Sequence, residues 1–234
     1  MLSVQSLQFA YGEHTVLKGI NLELETGKIH GIAGLNGSGK TTLLQLIYGL
    51  LTPDSGEVQF QGQPVSKNIT SFLEASNYFY HRLTTRETLE LFAIGNTGFD
   101  AAPWLNLFSL TGEEFTEDLS TGMRKKLAIL AVLAQHKTLL LLDEPFNGLD
   151  LESVMVFNLI LGELRKQGKT ILITSHILDT LIDNCDTIHT CSDGVILQSY
   201  TPEEYGKMKQ DFITQVQGQV KHDLEIVFGS GAGR

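Results

Sequence analysis

The stretch GLNGSGKT, Gly34–Thr41, fits the pattern G-x-x-x-x-G-K-[ST]. It follows the strand-like KIHGIA and opens the helix-like KTTLLQLIYGL, so its glycines fall at a strand-to-helix turn. A backbone free to curl there points successive N–H groups at phosphate oxygens, and the helix start adds its dipole. The pattern predicts a nucleotide site. Gly34, Leu35, Asn36, Gly37, Ser38, Gly39 and Thr42 surround the phosphates, the Lys40 ammonium reaches the β- and γ-phosphates, and the Thr41 hydroxyl binds Mg²⁺.

A further metal ligand is expected on a neighbouring buried strand. The run TLLLLDEP supplies Asp143 at the C-terminal edge of such a strand, where open α/β sheets meet their ligands. Glu144 follows, and a carboxylate beside the metal accepts a proton from the attacking water or polarises it. The competing reading is an Asp-Glu pair that caps the turn at Pro145. Two acids after four leucines would be costly there without a charge partner.

Outward from these strands, residues 2–9 alternate imperfectly, as a strand with a bulge. INLELE and GEVQFQGQPV alternate too, the latter turning at Gly62, so the opening is β-rich and antiparallel. From about Thr85 to Gln135 the apolar spacing is helical. LESVMVFNLILGELRKQGK is an amphipathic helix stopped at Gly168, and TILITSH is a second buried strand. ILDTLIDNC is a short helix, and DTIHTCSDGVILQSY a hairpin turning at Asp193-Gly194. The expected fold is α/β: a P-loop NTPase core with a mixed sheet, an N-terminal antiparallel β subdomain and an inserted α-helical subdomain over about 75–135. A single domain spans 1–210; residues 211–234 form a tail, preceded by the terminal helix TPEEYGKMK and ending in the flexible GSGAGR.

A net charge of −10 over 234 residues argues against the basic face that a nucleic-acid partner requires. No apolar run reaches the ~18–20 residues needed to span a bilayer, and the N-terminus lacks the features of a secretory signal. Cys185 and Cys191 fit neither a zinc spacing nor a disulfide framework, which points to the cytoplasm. The stretch LSTGMRKK, Leu119–Lys126, is harder to place. It opens a helix with Arg124, Lys125 and Lys126, where the positive end of the dipole would favour acids.

With these pieces together, the chain resembles the nucleotide-binding subunit of ABC transporters over roughly residues 2–199. GLNGSGKT and LLLLDEP resemble the Walker A and B motifs, LSTGM the LSGGQ signature, NGLD (Asn147–Asp150) the D-loop, and TSH the switch histidine, His176. Tyr11 stands where the family's adenine-stacking aromatic does. The resemblance implies a homodimer of two cassettes paired head to tail, each ATP held by the Walker A of one and the signature of the other. Ser120, Thr121, Gly122 and Met123 would then face the γ-phosphate in trans, His176 would contact it in cis, and Asp150 would lie across the seam. The positive, uncapped helix start at Ser120 would wait for a phosphate of the other subunit. A separate transmembrane permease would be the partner, holding the protein peripherally on the inner face of the cell membrane.

Two departures from the family pattern stand out. Thr121 and Met123 replace a Gly and a Gln of the signature, and the Q-loop region ITSFLEASNYFYHRLT contains no Gln. Glu74 is its nearest substitute as an oxygen for Mg²⁺. The short single cassette and the STGM-type signature favour export over import. A non-transport ABC ATPase and a nucleotide-gated binding protein of low turnover remain as alternatives, the latter opposed by Glu144 and His176.

Overall fold

The computed structural model describes residues 1–76, 78–214 and 217. The chain divides into two compact units, Met1–Ser199 and the residues from Tyr200 on.

In the first unit, the opening strands β1 (Leu2–Tyr11), β2 (His14–Leu24), β4 (Ser55–Phe60) and β5 (Gln63–Pro64) form a sheet in the order β2-β1-β4-β5, each neighbouring pair antiparallel. The bulge expected in β1 is present. The register shifts between Val4 and Leu7, where Ser6 has φ 47° and its N–H donates to Asn21 Oδ1 at 2.9 Å. This slip returns Leu7 and Phe9 to the buried face after the polar Gln5-Ser6 pair.

A second sheet contains β3 (Ile29–Ala33), β6 (Thr70–Leu73), β7 (Leu139–Asp143), β8 (Thr170–Ser175), β9 (Thr187–Ser192) and β10 (Val195–Tyr200), in the order β10-β9-β3-β8-β7-β6. From β9 through β6 every neighbour is parallel. β3, β7 and β8 are buried along their whole length, as continuous apolar strands covered on both faces should be. The Asp193-Gly194 turn joins β9 to β10 with φ positive at both residues, 48° and 77°, the pattern of a primed hairpin turn.

Helix α1 (Lys40–Tyr48) lies in one apolar core with both sheets. Leu43, Leu44 and Ile47 share that core with Leu2, Leu17 and Leu24 of the antiparallel sheet and with Ile32, Leu141 and Leu172 of the parallel one. Each such side chain contributes about 1.5–3 kcal/mol of burial, which fixes the helix, and the loop before it, between two frames.

The helical stretch between the sheets resolves into α2 (Thr85–Phe92), α3 (Ala101–Leu107) and α4 (Thr121–Ala134), with loops between them. Thr84 and Glu87 close a capping box on α2, and Asp100 caps α3. The chain continues through α5 (Leu151–Lys166), which ends at Gly168 with φ 75°, and the short α6 (Leu178–Ile182). β6, Thr70–Leu73, carries no alternation that marks a strand in the sequence.

In the second unit, Thr201 and Glu204 box a turn over Pro202–Glu204 that leads into the helical residues 205–214. The Tyr200 hydroxyl reaches Asp211 at 3.4 Å. Residues 218–234 of the expected tail, GSGAGR included, lie outside the described residues.

Candidate nucleotide site

The loop after β3 is shaped by what surrounds it. A Cβ at Gly34 would lie 2.4 Å from the Cys191 carbonyl oxygen and 2.6 Å from Ser38 Oγ, so no larger residue fits. Gly39, with φ 101°, turns the chain into α1. The Ser38 carbonyl accepts from the Gly194 N–H at 3.2 Å and from Cys191 Sγ at 3.2 Å, which ties the loop to the β9–β10 hairpin. Lys40 is 6% exposed and donates to the carbonyls of Gly34 at 2.7 Å and Leu35 at 3.0 Å. Burial lowers its pKa, while Glu144, Cys191 and Asp143 oppose that shift.

Asn36, Gly37, Gly39, Lys40, Thr41, Thr42 and Glu144 line an open cleft of about 410 Å³, and His14, Val16 and Ala75 complete it. These last three were not among the sequence candidates. His14 and Val16 begin β2 beside the loop, and only the register of a distant strand places them there.

Asp143 ends β7 fully buried. Its Oδ2 accepts from the Thr41 hydroxyl at 2.7 Å and its Oδ1 from the Thr174 hydroxyl at 2.5 Å. Thr174 Oγ1 also accepts from the Glu144 N–H at 3.1 Å, so one β8 hydroxyl orients both acids. Glu144 leaves the strand with φ 45°, and its Oε1 stands 3.9 Å from Lys40 Nζ. Its Oε2 stands 3.0 Å from His176 Nδ1 but out of hydrogen-bond alignment, so both atoms are buried without a hydrogen-bond partner, as is Ser38 Oγ. The unsatisfied Glu144 Oε2, on a residue that lines the cleft, is an acceptor that a water bound there can satisfy.

The signature residues Ser120, Thr121, Gly122 and Met123 do not line this cleft. Ser120 and Thr121 are exposed at the start of α4, and a Cβ at Gly122 would lie 3.2 Å from the Gly148 carbonyl oxygen, beside the D-loop. The expected uncapped helix start is corrected: Ser120 Oγ accepts from the Met123 N–H at 3.3 Å. The basic residues are not a bare cluster either. Arg124 donates to the carbonyls of Leu119 at 3.1 Å and Glu117 at 2.8 Å, filling acceptors that the preceding turn leaves open. Lys126 pairs with Asp150 at 2.8 Å, and Asp150 caps α5 by accepting from the Ser153 N–H at 2.8 Å. Those two contacts hold the Asp150 carboxyl well below the usual range.

Two candidates lie elsewhere. Tyr11 is 51% exposed and packs edge-on against Phe9 with ring centres 4.9 Å apart, outside the cleft lining. Glu74, exposed just past β6, borders a neighbouring cavity with Phe72, Tyr78 and Phe79, and it is Ala75 that reaches the nucleotide cleft.

A parallel core with a lysine-bearing glycine loop after one strand, and a buried Asp followed by a partly exposed Glu after another, defines a P-loop NTPase. The ABC transporter family model matches residues 17–147. The chain is 31% identical to the ABC transporter ATP-binding protein YtrB of Bacillus subtilis, over 92% of this chain and 78% of that protein. It is 35% identical to the cytochrome c biogenesis ATP-binding export protein CcmA of Nitrosococcus oceani, over 75% of this chain and 85% of that one. A solved ATP-binding subunit of an ABC transporter superposes with a TM-score of 0.81 at 27% identity, covering 87% of this chain and 91% of its own. The chain belongs to the ABC transporter family, as an ATP-binding, ATP-hydrolysing subunit.

Proposed function

We propose that two copies of the chain close on two ATP molecules and drive a separate membrane permease from the cytoplasmic face. One observation carries the paired reading: Ser120 and Thr121 stand exposed, and no signature residue lines its own chain's cleft. A motif that serves a nucleotide from there serves one held by another subunit.

In each half-site the Lys40 ammonium and the loop N–H groups bind the phosphates. Thr41 Oγ1 and the Asp143 carboxylate, 2.7 Å apart at the cleft, fit an Mg²⁺ site of hydroxyl plus carboxylate, and Glu74 is left out of that set. An ion held there would supply positive charge against the phosphates. Glu144 takes the proton of the attacking water; Thr174 fixes its backbone N–H, and the His176 ring stands 3.0 Å from its Oε2. Ser120 and Gly122 of the other copy complete the phosphate shell. Export is the direction we favour, supported by the STGM-type signature and by the export role in the CcmA relative's name.

Glu144→Gln removes the proton acceptor and keeps the shape. With ATP it should elute as a dimer in size-exclusion chromatography while ATPase activity falls by about 10²–10⁴-fold. A monomer under those conditions overturns the paired reading. Mild-detergent purification should recover a multi-span protein, and inside-out vesicles should accumulate the substrate if transport is outward.

A further inference from the structure

The Ser38 carbonyl, inside the glycine loop, accepts two hydrogen bonds from one hairpin: from the Gly194 N–H at 3.2 Å and from Cys191 Sγ at 3.2 Å. The hairpin is in turn seated against the start of β2. The Gly194 carbonyl accepts from the Lys18 N–H at 2.9 Å, and a Cβ at Gly194 would meet the Val16 carbonyl oxygen. Cys191 is 4% exposed, within the apolar core that holds Leu17, Leu43 and Leu44. Burial pushes its thiol up against the opposing pulls of the Ser38 contact and Lys40, with Asp193 adding to the rise. The sulfur therefore keeps its proton at neutral pH and remains a donor.

A peptide unit is planar, and in the trans form its C=O and N–H point in opposite directions. The Ser38–Gly39 peptide is trans. With the Ser38 carbonyl turned to the hairpin, the Gly39 N–H is turned away from it. Gly39 lines the nucleotide cleft beside Lys40, and its N–H donates to no group among the described residues. A free N–H on a cleft wall, next to a buried lysine, is a donor for a phosphate oxygen.

We propose that the β9–β10 hairpin sets the phosphate geometry of the glycine loop, with Cys191 as a positioning residue: its thiol and the Gly194 N–H fix the Ser38 carbonyl, and the shared peptide plane aims the Gly39 N–H at the nucleotide. The inference rests on the nucleotide reading of that loop. Without the thiol proton, the Ser38 carbonyl keeps only the Gly194 N–H, and one bond leaves the peptide free to rock about it. The donor on the far side of the plane then loses its aim, although nothing in the cleft wall has been removed.

The test is titration of the full chain with a fluorescent ATP analogue, with tripolyphosphate as a competitor that offers phosphates and nothing else. Cys191→Val keeps an apolar side chain of similar size and removes the donor, so the dissociation constant for the analogue should rise about fivefold. Displacement by tripolyphosphate should weaken by the same factor. Cys191→Ser restores a donor and should bind within about twofold of the wild type. In steady state, Val should raise KM for ATP by its binding factor and leave kcat within about twofold, since the N–H meets a phosphate oxygen before and during the reaction alike. If Val binds both ligands as the wild type does, if Ser is as weak as Val, or if kcat falls while KM holds, the inference is overturned alone. A wild type that binds neither ligand removes the loop reading and the inference together. Thermal melting identifies a variant that misfolds, and Cys191→Ala, which also lacks the donor and adds no bulk, carries the same expectations as Val.

Discussion

Gly194 looks like an ordinary hairpin residue and acts as a clamp. Its N–H holds the Ser38 carbonyl at 3.2 Å, and its own carbonyl accepts from the Lys18 N–H at 2.9 Å. A Cβ there would lie 1.9 Å from the Val16 carbonyl oxygen, at φ 77°. Gly194→Ala should cost about 3 kcal/mol in urea unfolding, combining left-handed strain with overpacking. Gly62→Ala, at φ 74° with nothing within 4 Å, should cost only about 1 kcal/mol. Equal costs would mean that the clamp is not rigid. The turn itself was readable from Asp193-Gly194, since turn chemistry is local. Its grip on the nucleotide loop was not, because Ser38 and Gly194 are far apart in sequence.

At the scale of elements, the start of α4 carries two roles that a single substitution can separate. Ser120→Ala removes the cap and should cost about 1 kcal/mol. Ser120→Asp keeps a good cap and suits the helix dipole, so thermal melting should stay near wild type. It also places a carboxylate where the reading puts a phosphate of the other copy, so ATPase activity should collapse while the fold survives. If activity follows stability in both variants, the role in trans fails. The three basic residues here show what a sequence pattern conceals. Periodicity located the helix, but whether a lysine pairs with a loop acid, as Lys126 does, or turns inward, as Lys125 does, depends on the neighbouring chain. β6 escaped for a related reason. Four residues opening with Thr-Ser carry no alternation, and only pairing with β7 makes them a strand. Its end sets which residue meets the cleft, and that residue is Ala75.

Across the molecule, the site shares its parallel sheet with a buried histidine pair. His30 and His189 sit on neighbouring strands with ring centres 5.8 Å apart, both at most 3% exposed. Burial lowers both pKa values, that of His189 to about 4, with His30 adding to its shift; Glu25 and Asp186 temper the shift of His30. The folded chain keeps His189 neutral below the ordinary range, whereas the unfolded chain takes up a proton near pH 6.5. Its contribution is intact above pH 6.5 and fades toward pH 4, a loss of roughly 3 kcal/mol. His189→Gln should flatten the fall of the melting temperature between pH 6.5 and 4; an unchanged slope would assign the acid sensitivity to carboxylates. The alternation of strands and helices was enough to indicate a parallel sheet, but not to seat one histidine on another.

The placing of β3 has a consequence for synthesis. Its two neighbours in the sheet are β8 and β9, which come from residues 170–175 and 187–192. A nascent chain that has emerged through residue 169 holds the whole glycine loop and both acids, yet β3 has no strand on either side. The Thr174 hydroxyl that orients Asp143 and Glu144 does not yet exist outside the ribosome. Pairings this distant close late and slowly. The nucleotide cleft is thus among the last parts of the unit to form, and ATP has nothing to hold until most of the protein has been made.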